Sequence, residues 1–181
     1  MPDAPIASRG AGARVIETER LVLRRLTPED APFIVALLND SDWLRFIGDR
    51  GVRTLDDARR YIETGPLESY ARNGFGLFLA ELKTTGAPVG LCGLLKRDVL
   101  EDVDVGYALL PDFRGGGLAH EAAAATLRFA KDTVGLARVA AITNPENARS
   151  IRVLEKLGLR FERRIRLSAD APEISFYART L

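Results

Sequence analysis

The chain has 181 residues, with 26 Lys and Arg against 25 Asp and Glu for a net charge of +1, and neither sign is gathered in a long block. That argues against a general electrostatic hold on nucleic acid or anionic lipid, while 46% hydrophobic and 28% charged residues fit one soluble globular domain burying roughly 70% of its unfolded surface. The single Cys92 and single His120 exclude an intrachain disulfide and a zinc site of the multiple Cys/His type, no metal is expected, and no G-x-S-x-G elbow accompanies His120 as a hydrolase would need.

From the N-terminus, residues 1–14 contain Pro, Gly and Ala but no apolar core of a secretory signal, and are expected to form a flexible tail ahead of one domain over 15–181. No apolar run approaches the ~20 residues of a membrane helix, so a cytoplasmic protein with no membrane partner is expected. From Ile16 to Leu26 apolar positions alternate with charges, as in a half-buried first strand. Thr27-Pro28-Glu29-Asp30 supplies a helix cap, and Ala31, Ile34, Val35 and Leu38 share one face of the helix that follows, to about Asn39. Thr54-Leu55-Asp56-Asp57 opens a second helix with Ala58, Tyr61 and Ile62 inward, stopped by Gly65-Pro66, and residues 67–73 form a further short helix.

Sheet follows in the middle of the chain. Residues 76–82 and 89–95 are apolar runs joined through a hairpin loop at Gly86 and Pro88, and residues 103–110 form a third strand closed by Pro111. Residues 118–134 carry an apolar surface too broad for one stripe, the mark of a deeply packed helix. Residues 138–143 read as a strand, 148–157 as a helix closed by Gly158, and 159–163 and 173–179 as two final strands. This order implies a mixed sheet with helices on both faces.

The most informative segment lies between the third strand and the long helix: Arg114-Gly115-Gly116-Gly117-Leu118-Ala119. Glycines leave main-chain N–H groups unobstructed, and a helix start adds unpaired donors and the positive end of the dipole, so the turn suits a phosphate or diphosphate. Arg114 is positioned to add charge to the same anion. The alternative is a turn that only permits close packing. A Walker loop is excluded because no Gly-Lys pair occurs, and a Rossmann fingerprint because the sixth residue from Gly115 is His120.

What remains, Arg114-x-x-Gly117-x-Ala119, resembles the acetyl-coenzyme A signature of the GNAT superfamily of N-acetyltransferases, Q/R-x-x-G-x-G/A. The preceding Asp104-Val-Gly-Tyr-Ala-Leu-Leu-Pro111 looks like that family's fourth strand. A second stretch, Ala141 to Phe161 with Asn147-x-x-Ser150 and Lys156-x-Gly158, is similar to the branch that includes the bacterial ribosomal-protein N-terminal (alanine/serine) acetyltransferases. The resemblance runs from about Ile16 to the C-terminus and takes in the opening Thr18-Glu-Arg-Leu-Val-Leu-Arg24.

The resemblance implies an α+β fold of three layers (α/β/α) around a mixed, largely antiparallel twisted sheet, whose strands over 103–110 and 138–143 splay apart. It implies acetyl-CoA as acetyl donor, its pantetheine arm pairing with main-chain groups of Val105 to Leu109, its diphosphate on donors from Arg114, Gly115, Gly116, Gly117, Leu118 and Ala119, and Asn147 bonding the arm or its loop. Backbone N–H groups near Ala108 and Leu109 would meet the oxyanion, and Ser150 would protonate the leaving sulfur. On the residues alone Asn147 is a helix N-cap with Ser150 bonding back to it, and capping is compatible with function. Glu68, Glu101, Asp102 and Asp104 are candidate bases, with a water chain as the alternative, and Tyr107 either lines the site or packs. Cys92 is expected to be buried and inert, and His120 to be a surface or supporting residue. Trp43, Arg45, Phe46, Arg50 and Arg53 either shape an acceptor pocket or form a packed loop. The implied activity is transfer of acetyl to a primary amine, a protein N-terminus or a small molecule, by a monomer or homodimer; the competing readings are a coenzyme A-binding module without turnover and a nucleotide-binding protein.

Overall fold

The chain folds into eight strands of one sheet, ordered β1-β2-β3-β4-β5-β6-β8-β7, in a computed structural model that describes residues 12–181. The tail expected over 1–14 therefore lies mostly outside the described residues, and Arg14 already opens a strand. Ile16 to Leu26, expected as one strand, is instead a hairpin of β1 (Arg14–Glu17) and β2 (Leu21–Arg24). Thr18 closes it: its N–H reaches the Leu21 carbonyl and its hydroxyl accepts the Leu21 N–H, each at 2.9 Å. Paired on both edges, β2 is buried on both faces rather than half-buried. Arg24, 3% exposed, is held there by the carboxylates of Asp30 and Glu81, each at 2.8 Å.

β3 (Leu77–Leu82), β4 (Pro88–Leu95) and β5 (Asp104–Leu109) continue as an antiparallel meander, with unbroken register from Gly90↔Leu109 to Leu95↔Asp104. β6 (Arg138–Thr143) lies parallel to β5, and β8 (Ile174–Thr180) separates it from the edge strand β7 (Arg160–Ile165). The sheet is thus mixed and largely antiparallel, as expected.

Helices cover both faces. On one, α1 (Ala31–Leu38), α2 (Ser41–Phe46) and α3 (Leu55–Ile62) bury Phe33, Ile34, Leu37, Trp43 and Ile62 against Leu79, Leu91, Ala108 and Leu110. On the other, α5 (Leu118–Phe129) and α6 (Ala148–Lys156) bury Leu118, Ala122 and Leu154 against Val103, Val105 and Leu109. α4 (Glu68–Asn73) joins this second face beside β3, where Tyr70 stacks on Phe78 with ring centroids 5.5 Å apart. Gly65-Pro66 does not stop the second helix. Glu63–Leu67 forms a wide π turn that carries the chain on into α4 and accommodates a proline with no N–H to donate. A similar turn, Ala130–Val134, ends the long helix.

Candidate active site

β5 and β6 share one register pair, Asp104↔Ala140, and then part. Two flanking bonds give the orientation of β5: Ala140 N–H to the Val103 carbonyl, and Leu110 N–H to the Val89 carbonyl, both 2.9 Å. Alternation along the strand turns the main-chain groups of Val105, Tyr107 and Leu109 toward the gap and those of Gly106 and Ala108 toward β4. Of the two amides considered for an oxyanion, Leu109 N–H thus faces the gap and Ala108 N–H faces β4.

Tyr107 on β5 and Ser150 on α6 meet across this opening. Their hydroxyl oxygens are 3.1 Å apart, and the Tyr107 hydroxyl also lies 3.1 Å from the Ser150 carbonyl, to which it donates. Burial pushes the Tyr107 phenol above its ordinary range against the opposing Ser150 hydrogen bond, so it keeps its proton at neutral pH. Asn147 caps α6, its side-chain oxygen accepting the Ser150 N–H at 3.1 Å, which fixes the turn that presents Ser150.

At the wide end of the gap, the glycine turn runs into α5. Gly115 and Gly117 have φ of +83° and +81°, a region that favours glycine, and a Cβ on Gly115 or Gly116 would meet nothing within 4 Å. Glu121 N–H makes the first helical bond, to Gly117, so the amides of Leu118, Ala119 and His120 precede the intrahelical ladder. The Arg114 side chain, expected at the anion, is engaged by partners within the protein. Nε donates to the Leu109 carbonyl at 3.0 Å, Nη1 to Asp42 at 3.0 Å and Nη2 to Asp40, while its backbone N–H donates to the Pro111 carbonyl. Asp40 also caps α2, accepting the N–H groups of Asp42 and Trp43. Asp42 takes a further bond from Arg149 of α6. The Asp42 carboxylate therefore links α2 to Arg114, in the segment after β5, and to Arg149 on α6, after β6.

Sequence reasoning missed Asp40, Asp42, Arg149 and α2 itself, although Asp40-Ser41-Asp42 is a legible cap signal. It also missed Arg20, in the turn between β1 and β2, whose Nη1 donates to the Gly116 carbonyl at 2.9 Å and whose Nε donates to Glu121 at 2.6 Å.

The candidate bases are not gathered at one point. Asp104, 1% exposed, sits where β5 and β6 pair and accepts from Arg97 Nε at 2.9 Å; burial raises its carboxyl above the usual range, with Arg97 opposing. Asp102 pairs with Arg138 at 3.0 Å. Glu101 is exposed beside them, with its main-chain carbonyl accepting from Lys96. Glu68 stands apart on α4, ion-paired with Arg72. Trp43 is buried and donates to the Gly48 carbonyl, while Arg45, which lies over Phe46 and pairs with Glu146, Arg53, which pairs with Asp49, and Arg50 are exposed, so Trp43 and Val52 anchor a segment that is otherwise mostly at the surface. Cys92 is buried beside Thr126 and its thiol is pushed up to about 12 by burial. His120 is half-buried in the first turn of α5. Among the described residues no group of three or more His, Cys, Asp or Glu side chains is arranged to hold a metal ion, and no helix is long and apolar enough to cross a membrane.

Comparison with known proteins gives a consistent result. The family described as "Acetyltransferase (GNAT) domain" matches residues 20–160. An uncharacterized protein of Bacillus subtilis, YkkB, is 31% identical over 154 residues, covering 82% of this chain and 87% of the relative. A GNAT-family acetyltransferase from Bacillus anthracis superposes with a TM-score of 0.75 at 27% identity, over 91% of this chain and 97% of that one. The fold is also that of RimL, a ribosomal L7/L12 α-N-protein acetyltransferase solved in complex with coenzyme A, with a TM-score of 0.74 at 17% identity over 93% and 98% of the two chains.

Proposed function

This chain belongs to the GNAT acetyltransferase family, and from that membership we propose that it transfers the acetyl group of acetyl-CoA directly to a primary amine, either a protein N-terminus or a small molecule. The observation that carries the reading is the parting of β5 from β6 beyond Asp104↔Ala140 with the Tyr107 and Ser150 hydroxyls 3.1 Å apart across it.

The residues present suit the donor. The gap-facing groups of Val105 and Tyr107 offer an edge that a pantetheine arm extends as an added strand, and the amides of Gly115 through Ala119 suit its diphosphate. Asn147, its side-chain oxygen occupied by the cap, has its amide nitrogen for the arm. When bound, acetyl-CoA supplies an acyl thioester whose carbonyl carbon accepts an uncharged amine.

Leu109 N–H hydrogen-bonds the carbonyl oxygen as negative charge collects there. The C–N bond forms, the C–S bond breaks with its electron pair going to sulfur, and the Tyr107–Ser150 pair gives the sulfur a proton. The surplus proton of the amine leaves to water or to one of Glu101, Asp102 and Asp104. Burial raises the proton affinity of Asp104, with Arg97 opposing.

Release of free thiol from acetyl-CoA, followed over a panel of peptides and small amines, tests the reading. It predicts release that depends on an amine. Tight coenzyme A binding with no amine-dependent release from any acceptor would mark a binding module instead.

A further inference from the structure

We propose that Arg20, far from the glycine turn in sequence, is a positioning residue that presets this turn for the donor's diphosphate. The inference rests on the acetyl-CoA reading above and adds a residue outside the R-x-x-G-x-A signature. Arg20 is clamped: its backbone N–H donates to Glu121 Oε1 at 2.8 Å, its Nε to Glu121 Oε2 at 2.6 Å, and its Nη1 to the Gly116 carbonyl at 2.9 Å. Thr18 adds a hydroxyl donor to Glu121 Oε1 at 2.6 Å. The turn between β1 and β2 is thereby fastened to the first turn of α5.

Two consequences follow from elementary geometry and charge. The peptide joining Gly116 to Gly117 is trans, so its C=O and N–H point in opposite directions. With the carbonyl drawn to Arg20, the Gly117 N–H is turned to the opposite side of the turn. Three successive glycines have little preference of their own, and the bond from Arg20 chooses one orientation before any ligand arrives. The second consequence concerns Glu121. Burial favours its neutral form, but hydrogen bonds from Thr18 and Arg20 outweigh this and hold the carboxyl below its ordinary range. An ionised carboxylate one turn from an incoming diphosphate would repel it, and the Arg20 guanidinium cancels that charge. Arg114 does not serve here, because its guanidinium is engaged by Asp40, Asp42 and Leu109.

Titration calorimetry with coenzyme A, alongside steady-state kinetics, tests the assignment. Loss of a charge-assisted bond predicts that Arg20→Ala weakens coenzyme A binding by about tenfold to a hundredfold, with KM for acetyl-CoA rising far more than kcat falls and the acceptor's KM little moved. Arg20→Lys, which keeps charge but lacks the fork that spans Glu121 and Gly116, is expected to fall between. Adding Glu121→Gln to Arg20→Ala is expected to restore part of the affinity by removing the uncancelled carboxylate, a recovery that a merely structural role would not give. If Arg20→Ala fails to fold, the lysine variant carries the same comparison. Unaltered coenzyme A affinity in the folded variants overturns this inference alone; absence of binding by the unsubstituted protein overturns the acetyl-CoA reading and this inference with it.

Discussion

At the scale of single residues, the proposed chemistry turns on two hydroxyls and one glycine. Ser150→Ala is expected to lower kcat by about tenfold or more while changing coenzyme A affinity little. The loss stays below the ~10²–10⁴ of full acid removal because Tyr107 can still donate. Tyr107→Phe should behave likewise, and an unchanged rate in both variants would remove the pair from the mechanism. At Gly117, whose φ is +81°, alanine introduces about 1–2 kcal/mol of left-handed strain, whereas glutamate adds bulk and like charge. Calorimetry should therefore show a modest loss of coenzyme A affinity for Gly117→Ala and abolition for Gly117→Glu; equal effects would mean that strain alone matters. Ser150, Asn147 and the glycines were legible in the sequence because each sits in a short pattern with a local physical reason. The direction of the Arg114 side chain was not, because Asp40 and Asp42, more than seventy positions away in sequence, decide it.

Among elements, those with a strong local apolar signal bounded by turn residues were the readable ones. β3, β4, β6 and the body of α5 lie close to where apolar runs and helical spacing put them. The hairpin of β1 and β2 was missed because Thr18-Glu19-Arg20 carries no Gly, Asn or Pro, and its turn is made by the Thr18 hydroxyl and the clamp of Arg20 on Glu121. α2 was missed because a helix of six residues has no stability of its own; the Asp40 cap, buried Trp43 and the bonds of Asp42 to Arg114 and Arg149 hold it. Gly65-Pro66 misled because a π turn can pass a proline that an α turn would not. The joint between β2 and α1 has an energetic test. Asp30 is fully buried against Arg24, so Asp30→Ala leaves a buried guanidinium short of a partner and is expected to cost about 3–5 kcal/mol in urea unfolding. A change within ~0.5 kcal/mol, the usual range for surface substitutions, would show that Glu81 alone suffices.

For the whole molecule, near balance of charge and the lack of a Cys/His cluster already argued against broad function classes, and among the described residues the sheet order places the one parallel contact between β5 and β6. What composition and periodicity do not reveal is how far those strands separate, since a single register pair in place of a full ladder is a tertiary outcome. In the proposed reading that separation is the donor site, and the carboxylate of Asp42 on α2 joins Arg114, after β5, to Arg149 on α6, after β6. The central claim is that this gap receives the donor and brings its sulfur to the two hydroxyls. Determination of the structure with coenzyme A bound tests it most directly: the account predicts the pantetheine arm along β5, the diphosphate on the amides of Gly115 through Ala119, and the sulfur beside Tyr107 and Ser150. Coenzyme A seated elsewhere, with β5 and β6 parted but empty, would contradict it.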